Sequence, residues 1–317
     1  MHRLVADFLR LTSPDPLADW RKAVTALNGL ATGDAATRPD TRPTLLAVVA
    51  AADELGRRLP PLATLEDGRA LRRTAGWLND LGQSSGELAA LGVARRLLEQ
   101  GVRQLLPRDR APDDWAWAQH NLGLVLRVLG ERRGDEAALR QAVQAYHAAL
   151  EVYTRQAAPV AWATTQNNLG NVLQVLGERG GDEAALRQAV QAYHAALEVS
   201  TQQAAPVAWA RTQNNLGNVL SALGERGGDE AALRQAVQAY HAALEVYTRQ
   251  AAPIDWARTQ NNLGIVLRVL GEREGDEAAL RQAVQAYHAA LEVFEAQGHD
   301  AHAQAVRRNL ALVPRTK

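Results

Sequence analysis

The 317-residue chain contains no cysteine. That excludes disulfides, thiolate metal sites and a cysteine nucleophile. Aromatic residues make up only 5% of it, and neither sign of charge is in excess, with 35 Lys+Arg against 35 Asp+Glu. A neutral balance carries none of the basic signature of a nucleic-acid binder, so no nucleic acid is expected as partner. No run approaches the roughly 18 apolar residues needed to span a bilayer, so no membrane partner is expected either. The opening MHRLVADFLRLTSPDP has neither the long apolar core nor the cleavage site of a signal peptide. A cytoplasmic location is the expectation. No GxxxxGK[ST] phosphate loop and no GxSxG elbow occur.

What the chain has instead is one text written four times. It starts at Trp115, Trp162, Trp209 and Trp256, a spacing of 47 residues. A period of that size means stacked helical or supersecondary units. Within the second copy, Trp162, Leu169, Val172, Leu173 and Leu176 fall on one side of a helical wheel. Thr164, Asn167, Asn168, Asn171 and Gln174 fall on the other. This helix A is expected to end at Gly177 with a left-handed cap. Asp182 then caps helix B, expected over Glu183–Gln203, whose Leu186, Ala189, Val190, Tyr193, Ala196 and Leu197 follow helical spacing. Pro206 suits the first turn of the next helix A. Each hairpin has apolar surface on both helices and must bury it against a neighbour. The four Trp are expected to wedge between successive hairpins, where truncation to Ala costs about 3–5 kcal/mol.

The unit resembles a tetratricopeptide repeat. Leu169-Gly170, Ala189, Tyr193 and Ala196 match that family's Leu-Gly in helix A and its Ala, aromatic and Ala in helix B. The match recurs in the copies carrying Tyr146, Tyr240 and Tyr287. Two departures exist: the family period is about 34 residues, and the early Trp sits one turn upstream. The NNLG and GERGGD text is similar to bacterial repeats found with CHAT-type peptidases or signalling NTPases. This resemblance implies an all-α, right-handed superhelical solenoid of antiparallel helix pairs.

The expected layout is an N-terminal helical region over 1–66, a degenerate repeat over 67–112, four repeats over 113–298 and a capping helix over 299–317. Helices are expected over Arg3–Leu11, Leu17–Leu30 and Thr44–Leu59, with a loop over Ala31–Pro43. In the degenerate repeat, Ser84 and Glu87 offer a capping box, and matching Gly82 to Gly177 puts Ala94 and Leu98 at the Ala and Tyr positions. In residues 299–317, Ala303 replaces Trp and Arg308 replaces an Asn, as a solvated end helix requires.

Function is expected on the A helices. The resemblance implies a concave groove lined by them that holds an extended peptide. Asn suits this chemistry, since an amide both donates and accepts and can pair with any peptide unit. The candidate groove residues are His120, Asn121 and Arg127, then Thr164, Asn167, Asn168, Asn171 and Gln174. Arg211, Asn214, Asn215 and Asn218 follow, then Arg258, Asn261, Asn262 and Arg268. The Arg residues would attract acidic groups or a C-terminal carboxylate. Asn121, Asn168, Asn215 and Asn262 have a second reading, as ties between neighbouring repeats. No Lys occurs on these A helices, so the family's clamp for a chaperone C-terminus is not expected.

His147, His194, His241 and His288 occur once per repeat. Neighbouring helices lie about 10 Å apart, too far to share a metal that needs nitrogens near 2.1 Å. No metal and no cofactor are expected. The reading is a non-catalytic protein-interaction scaffold with a protein or peptide partner, and the resemblance alone implies a bacterial signalling or defence system. The alternative is a protein that self-assembles into homo-oligomers through repeat surfaces or ends.

Overall fold

The computed structural model describes residues 15–31, 42–57 and 63–314. These form helices and connecting turns, with no strand among the described residues. The chain divides into two compact units, Met1–Ala158 and Pro159–Lys317.

The first unit contains α1 (Pro16–Ala31), α2 (Arg42–Arg57), α3 (Leu65–Ser85), α4 (Leu88–Arg96), α5 (Pro112–Arg133) and α6 (Glu136–Leu150). α4 runs on through a wider, π-helical stretch, Leu97–Val102, and a last turn, Arg103–Leu105. The helix expected over Arg3–Leu11 and most of the expected loop lie outside the described residues.

α1 and α2 carry none of the repeat's text, yet they stack as a pair on the next pair, α1 against α3 and α2 against α4. Trp20, Val24, Leu27 and Leu55 are buried between them. The Trp20 indole N–H donates to the Leu55 carbonyl at 3.1 Å, so the ring is buried without stranding its polar atom. Arg21 forks onto Asp67 at 2.7 and 2.8 Å. That ion pair, with help from Thr64, holds the Asp67 carboxyl down to about 2. Thr64 and Asp67 form the capping box of α3.

The box expected at Ser84 and Glu87 does not form. α3 extends through Ser85, Gly86 takes the left-handed conformation, and Ser84 donates back to the Asp80 carbonyl. Glu87 precedes α4 without a side-chain cap.

The second unit contains α7 (Pro159–Gly180), α8 (Glu183–Leu197), α9 (Pro206–Gly227), α10 (Glu230–Val246), α11 (Pro253–Glu274), α12 (Glu277–Ala296) and α13 (Asp300–Ala311). Odd-numbered members before α13 are A helices and the even-numbered ones are B helices. Each A helix packs on its own B helix, and each B helix packs on the following A helix, with α13 closing against α12. This is the all-α stacking of antiparallel pairs that the period implies.

Helix A does not end at Gly177. It continues to Gly180, and Gly181 is the residue with positive φ, at 67°. Gly177 lies inside the helix for another reason. A Cβ there would meet the Leu186 side chain at 2.6 Å, so glycine lets helix B approach. Gly170 plays the same part against the Tyr193 ring, at 2.7 Å. Helix B is also shorter than expected: α8 stops at Leu197, one and a half turns before Gln203. Gly82 stands against Leu91 as Gly177 stands against Leu186, at 2.4 Å.

The Tyr column is the sealed one. Tyr146, Tyr193, Tyr240 and Tyr287 are fully buried or nearly so, whereas Trp115, Trp162, Trp209 and Trp256 are half-buried. Trp209 and Trp256 pack on a cluster of Ala210, Ala243 and Tyr247. Trp256 thereby joins its repeat to the one before it.

Candidate functional site

The amide-rich side of the A helices divides into two layers. The inner layer holds the repeats together. Asn167 and Asn214 are buried, at 3% and 4% exposure. The Thr212 hydroxyl shares its one proton between Asn167 Oδ1 at 3.1 Å and the Ala208 carbonyl of its own helix at 2.9 Å, and Thr259 likewise between Asn214 Oδ1 at 3.1 Å and the Asp255 carbonyl at 2.8 Å. Each Thr sits on the A helix that follows, so the pair latches one repeat to the next. A buried amide left unpartnered would cost about 1–3 kcal/mol, and this bond removes that cost. Asn167 and Asn214 therefore do not line an open groove, contrary to expectation. Asn261 closes the same series by accepting from Asn309 of α13 at 2.9 Å.

The second tie runs through the neighbouring column. Asn215 Nδ2 donates to Asn171 Oδ1 at 3.0 Å, and Asn262 Nδ2 donates to Asn218 Oδ1 at 3.0 Å. Of the two readings of Asn215 and Asn262, the bonds are those of inter-repeat ties. Asn168 accepts from Asn167 Nδ2 at 3.5 Å. In the first unit, Asn121 is buried and donates to the Trp117 carbonyl of its own helix at 2.9 Å.

The outer layer starts from Asn171 and Asn218. Tyr193 donates to Asn171 Oδ1 at 2.8 Å, and Tyr240 donates to Asn218 Oδ1 at 2.8 Å. With Oδ1 held by a phenol and by the next repeat's Asn, each amide is fixed in orientation. Its Nδ2 donates to no acceptor among the described residues, and both residues are only half-buried. Gln174 Oε1, at 3.1 Å, is a second and longer acceptor for the same Tyr193 proton, and Gln174 donates to Glu178 at 2.8 Å. Thr164 is half-buried and donates back to the Val160 carbonyl at 2.8 Å.

The cations differ among themselves. Arg211 is exposed and has no carboxylate within ion-pair reach among the described residues. Arg258, also exposed, pairs with Asp255 at 2.6 Å. Arg127 and Arg268 are half-buried and each is paired one turn on, with Glu131 and Glu272 at 2.7 Å. Those two were expected to attract acidic groups, but each charge already has its counter-charge beside it. Val160 and Val207 are 75% and 65% exposed, the most exposed large hydrophobic side chains described, and Val207 lies one turn before Arg211 on α9. They occupy the same place in the first turn of α7 and α9.

His120 stands where the later copies have Asn. Its ring lies edge-on to Tyr146, with centroids 5.7 Å apart. Burial pushes its pKa down to about 4, so it is neutral at pH 7.

Sequence reasoning missed the Arg of the GER text. Arg226 Nη1 donates to the Gly177 carbonyl at 2.8 Å and Nη2 donates to the Glu178 carbonyl. Arg273 reaches the Gly224 and Glu225 carbonyls at 3.0 Å each. Each guanidinium binds carbonyls near the C-terminal end of the preceding A helix, where the helix dipole favours a cation. The signal was available: this Arg is constant in all four copies while the residue after it changes.

No group of His, Asp or Glu suited to hold a metal occurs among the described residues, and no helix among them is long and apolar enough to cross a membrane.

The tetratricopeptide repeat pattern matches residues 115–152, 162–200, 209–246 and 256–300, just over half of the chain. No curated protein matches it. Among solved structures, a crystal structure of MamA is similar at 18% identity with a TM-score of 0.46, over 70% of this chain and 96% of that one. The TPR2AB domain of yeast Sti1, in complex with pHSP90, is similar at 14% identity with a TM-score of 0.32, over 93% of this chain and 98% of that one.

Proposed function

Because the chain belongs to the tetratricopeptide repeat family, whose repeats are protein-interaction scaffolds, we propose that it binds an extended peptide segment along the A helices of the second unit. The observation that carries this reading is the fixed orientation of Asn171 and Asn218. Their carbonyl oxygens are occupied, so each aims an amide N–H2 at solvent. Two such donors, one repeat apart, suit the carbonyls of a peptide backbone, which needs no particular side chain. Arg211 supplies an uncompensated positive charge two turns before Asn218, on the same side of α9. Val160 and Val207 supply apolar contact. The ligand that fits is a peptide with an acidic residue flanked by aliphatic ones. The A helices also differ among copies at the exposed positions, Thr164 against Arg211 and Asn171 against Ile265. Each repeat therefore offers a different subsite, as a ligand of non-repeating sequence requires.

The test is a panel of fluorescent extended peptides, acidic, neutral and basic, titrated with the full chain. Acidic–aliphatic peptides are expected to bind best. Arg211→Glu combined with Asn171→Leu and Asn218→Ile should weaken them at least about tenfold, a change of about 1.4 kcal/mol. Leu and Ile are the residues that the first and last copies carry at these places, so the variant retains a helix-compatible sequence. Equal affinity for wild type and variant would refute the assignment.

A further inference from the structure

The B helices pose a different question from the A helices. From the capping Asp through DEAALRQAVQAYHAALEV, all four copies are identical, starting at Asp135, Asp182, Asp229 and Asp276. The A helices have diverged over the same history, at exposed and half-buried positions alike. Something holds the B text constant.

Part of the constancy has an internal cause. Ala189, Tyr193 and Ala196 are core. Asp182 caps the helix through the Ala184 and Ala185 N–H groups. Glu183 pairs with Arg187. Glu245 accepts from Gln202 at 2.9 Å, and Glu292 pairs with Arg249, each linking a B helix to the turn that precedes its own repeat's A helix. Three exposed columns have no such cause. In the second unit the side chains of Gln188, Gln191 and His194, and their equivalents one and two repeats on, make no hydrogen bond or ion pair among the described residues.

These same columns frame a cleft. Between α8 and α10 lies a space of about 450 Å³. His194 stands on one wall and Gln235 and Gln238 on the other, while Leu216 and Leu220 of α9 form the floor. The cleft collects one member from each unexplained column, over an apolar base.

We propose that the B-helix face of the second unit is the contact surface for a second copy of this chain, in an isologous pair whose Gln and His side chains enter each other's clefts. Three observations point to that occupant. An amide carries donors and an acceptor, so a column of Gln is complementary to itself. The Gln and His columns recur with the period of the repeat, and a second copy presents the same side chains at the same period. The chain's formal net charge is zero, so two copies meet without long-range repulsion. Two-fold pairing of a surface with itself is the commonest form of protein assembly. It also accounts for the invariance, since each column must fit its own counterpart. The proposal is independent of peptide binding on the A helices.

The experiment is sedimentation equilibrium of the full chain from low to high micromolar concentration. The expected result is a concentration-dependent mass of two chains. Gln188→Glu, Gln235→Glu and Gln282→Glu, made together, place like charges on a surface that faces itself. Glu and Gln have nearly equal helix propensity, and far-UV circular dichroism confirms that the helices remain. This variant is expected to dissociate at least tenfold more readily. Arg211→Glu, on the other face, is expected to pair as wild type does. Monomeric wild type at every concentration, a triple variant that pairs as tightly as wild type, or loss of pairing in Arg211→Glu would each overturn the proposal.

Discussion

At the scale of single residues, His120 shows what a change of one side chain does to an otherwise repeated environment. Asn would be neutral at any pH, whereas His120 is forced to be neutral by burial, with its pKa down at about 4 against an ordinary 6.5. Above pH 6.5 the folded and unfolded chains agree in charge at this site. Between pH 6.5 and 4 the unfolded chain takes up a proton that the folded chain resists, so stability falls as the pH falls through that window. The loss is complete below about 4 and amounts to no more than about 3.4 kcal/mol. Asp67, held at about 2 by Arg21, adds its own loss later, between about 3.8 and 2. His120→Asn is therefore expected to flatten the stability profile between pH 6.5 and 4 and leave the lower limb intact. Urea unfolding at successive pH values checks this, and an unchanged upper limb would contradict it. The wheel set Asn167 on the amide side of its helix but said nothing of what lies opposite. Its partner, Thr212, is one repeat away, and a pattern read along one helix does not show which of its polar residues the next helix covers.

At the scale of elements, boundaries followed caps more than periodicity. Asp182, Asp229 and Asp276 start the B helices as their sequence requires. The A helices overran their first glycine, because Gly177 is there to admit Leu186 and leaves the backbone helical. Sequence cannot distinguish a glycine that ends a helix from one that lets a neighbour close in. The last turn thus gained is what Arg226 and Arg273 hold from the following repeat. Arg226→Ala is expected to cost about 1–2 kcal/mol, the range of charged hydrogen bonds with part of the group in solvent. Arg226→Lys should recover little of it, since an ammonium cannot fork across two carbonyls. Urea denaturation of the two variants measures this, and full recovery by Lys would show that charge alone suffices.

At the scale of the whole molecule, the 47-residue period predicted helix pairs that bury themselves on one another, and the structure is built that way. The first pair, α1 and α2, was not legible as a stacked unit, because Trp20, Asn28 and Leu55 reproduce the packing without the repeat's text. Where contacts are mostly between neighbours, a unit can be removed without loss of the rest. Deleting residues 206–252 joins Ala205 to Pro253 and leaves the junction reading Ala-Pro, as it does between Ala205 and Pro206. The shortened chain is expected to unfold cooperatively with a smaller urea m-value, in proportion to the surface lost. Circular dichroism would reveal a failure as loss of helix.

The Thr-to-Asn latch has a direction. A hydroxyl arrives from the later helix and meets a carbonyl oxygen on the earlier one. In α13, Asn309 still reaches back to Asn261, but Arg308 occupies the place of the accepting amide. A hydroxyl from another molecule, approaching α13 end-on, would meet a guanidinium, donor facing donor. The latch that ties each repeat to the one before it therefore has no counterpart on α13.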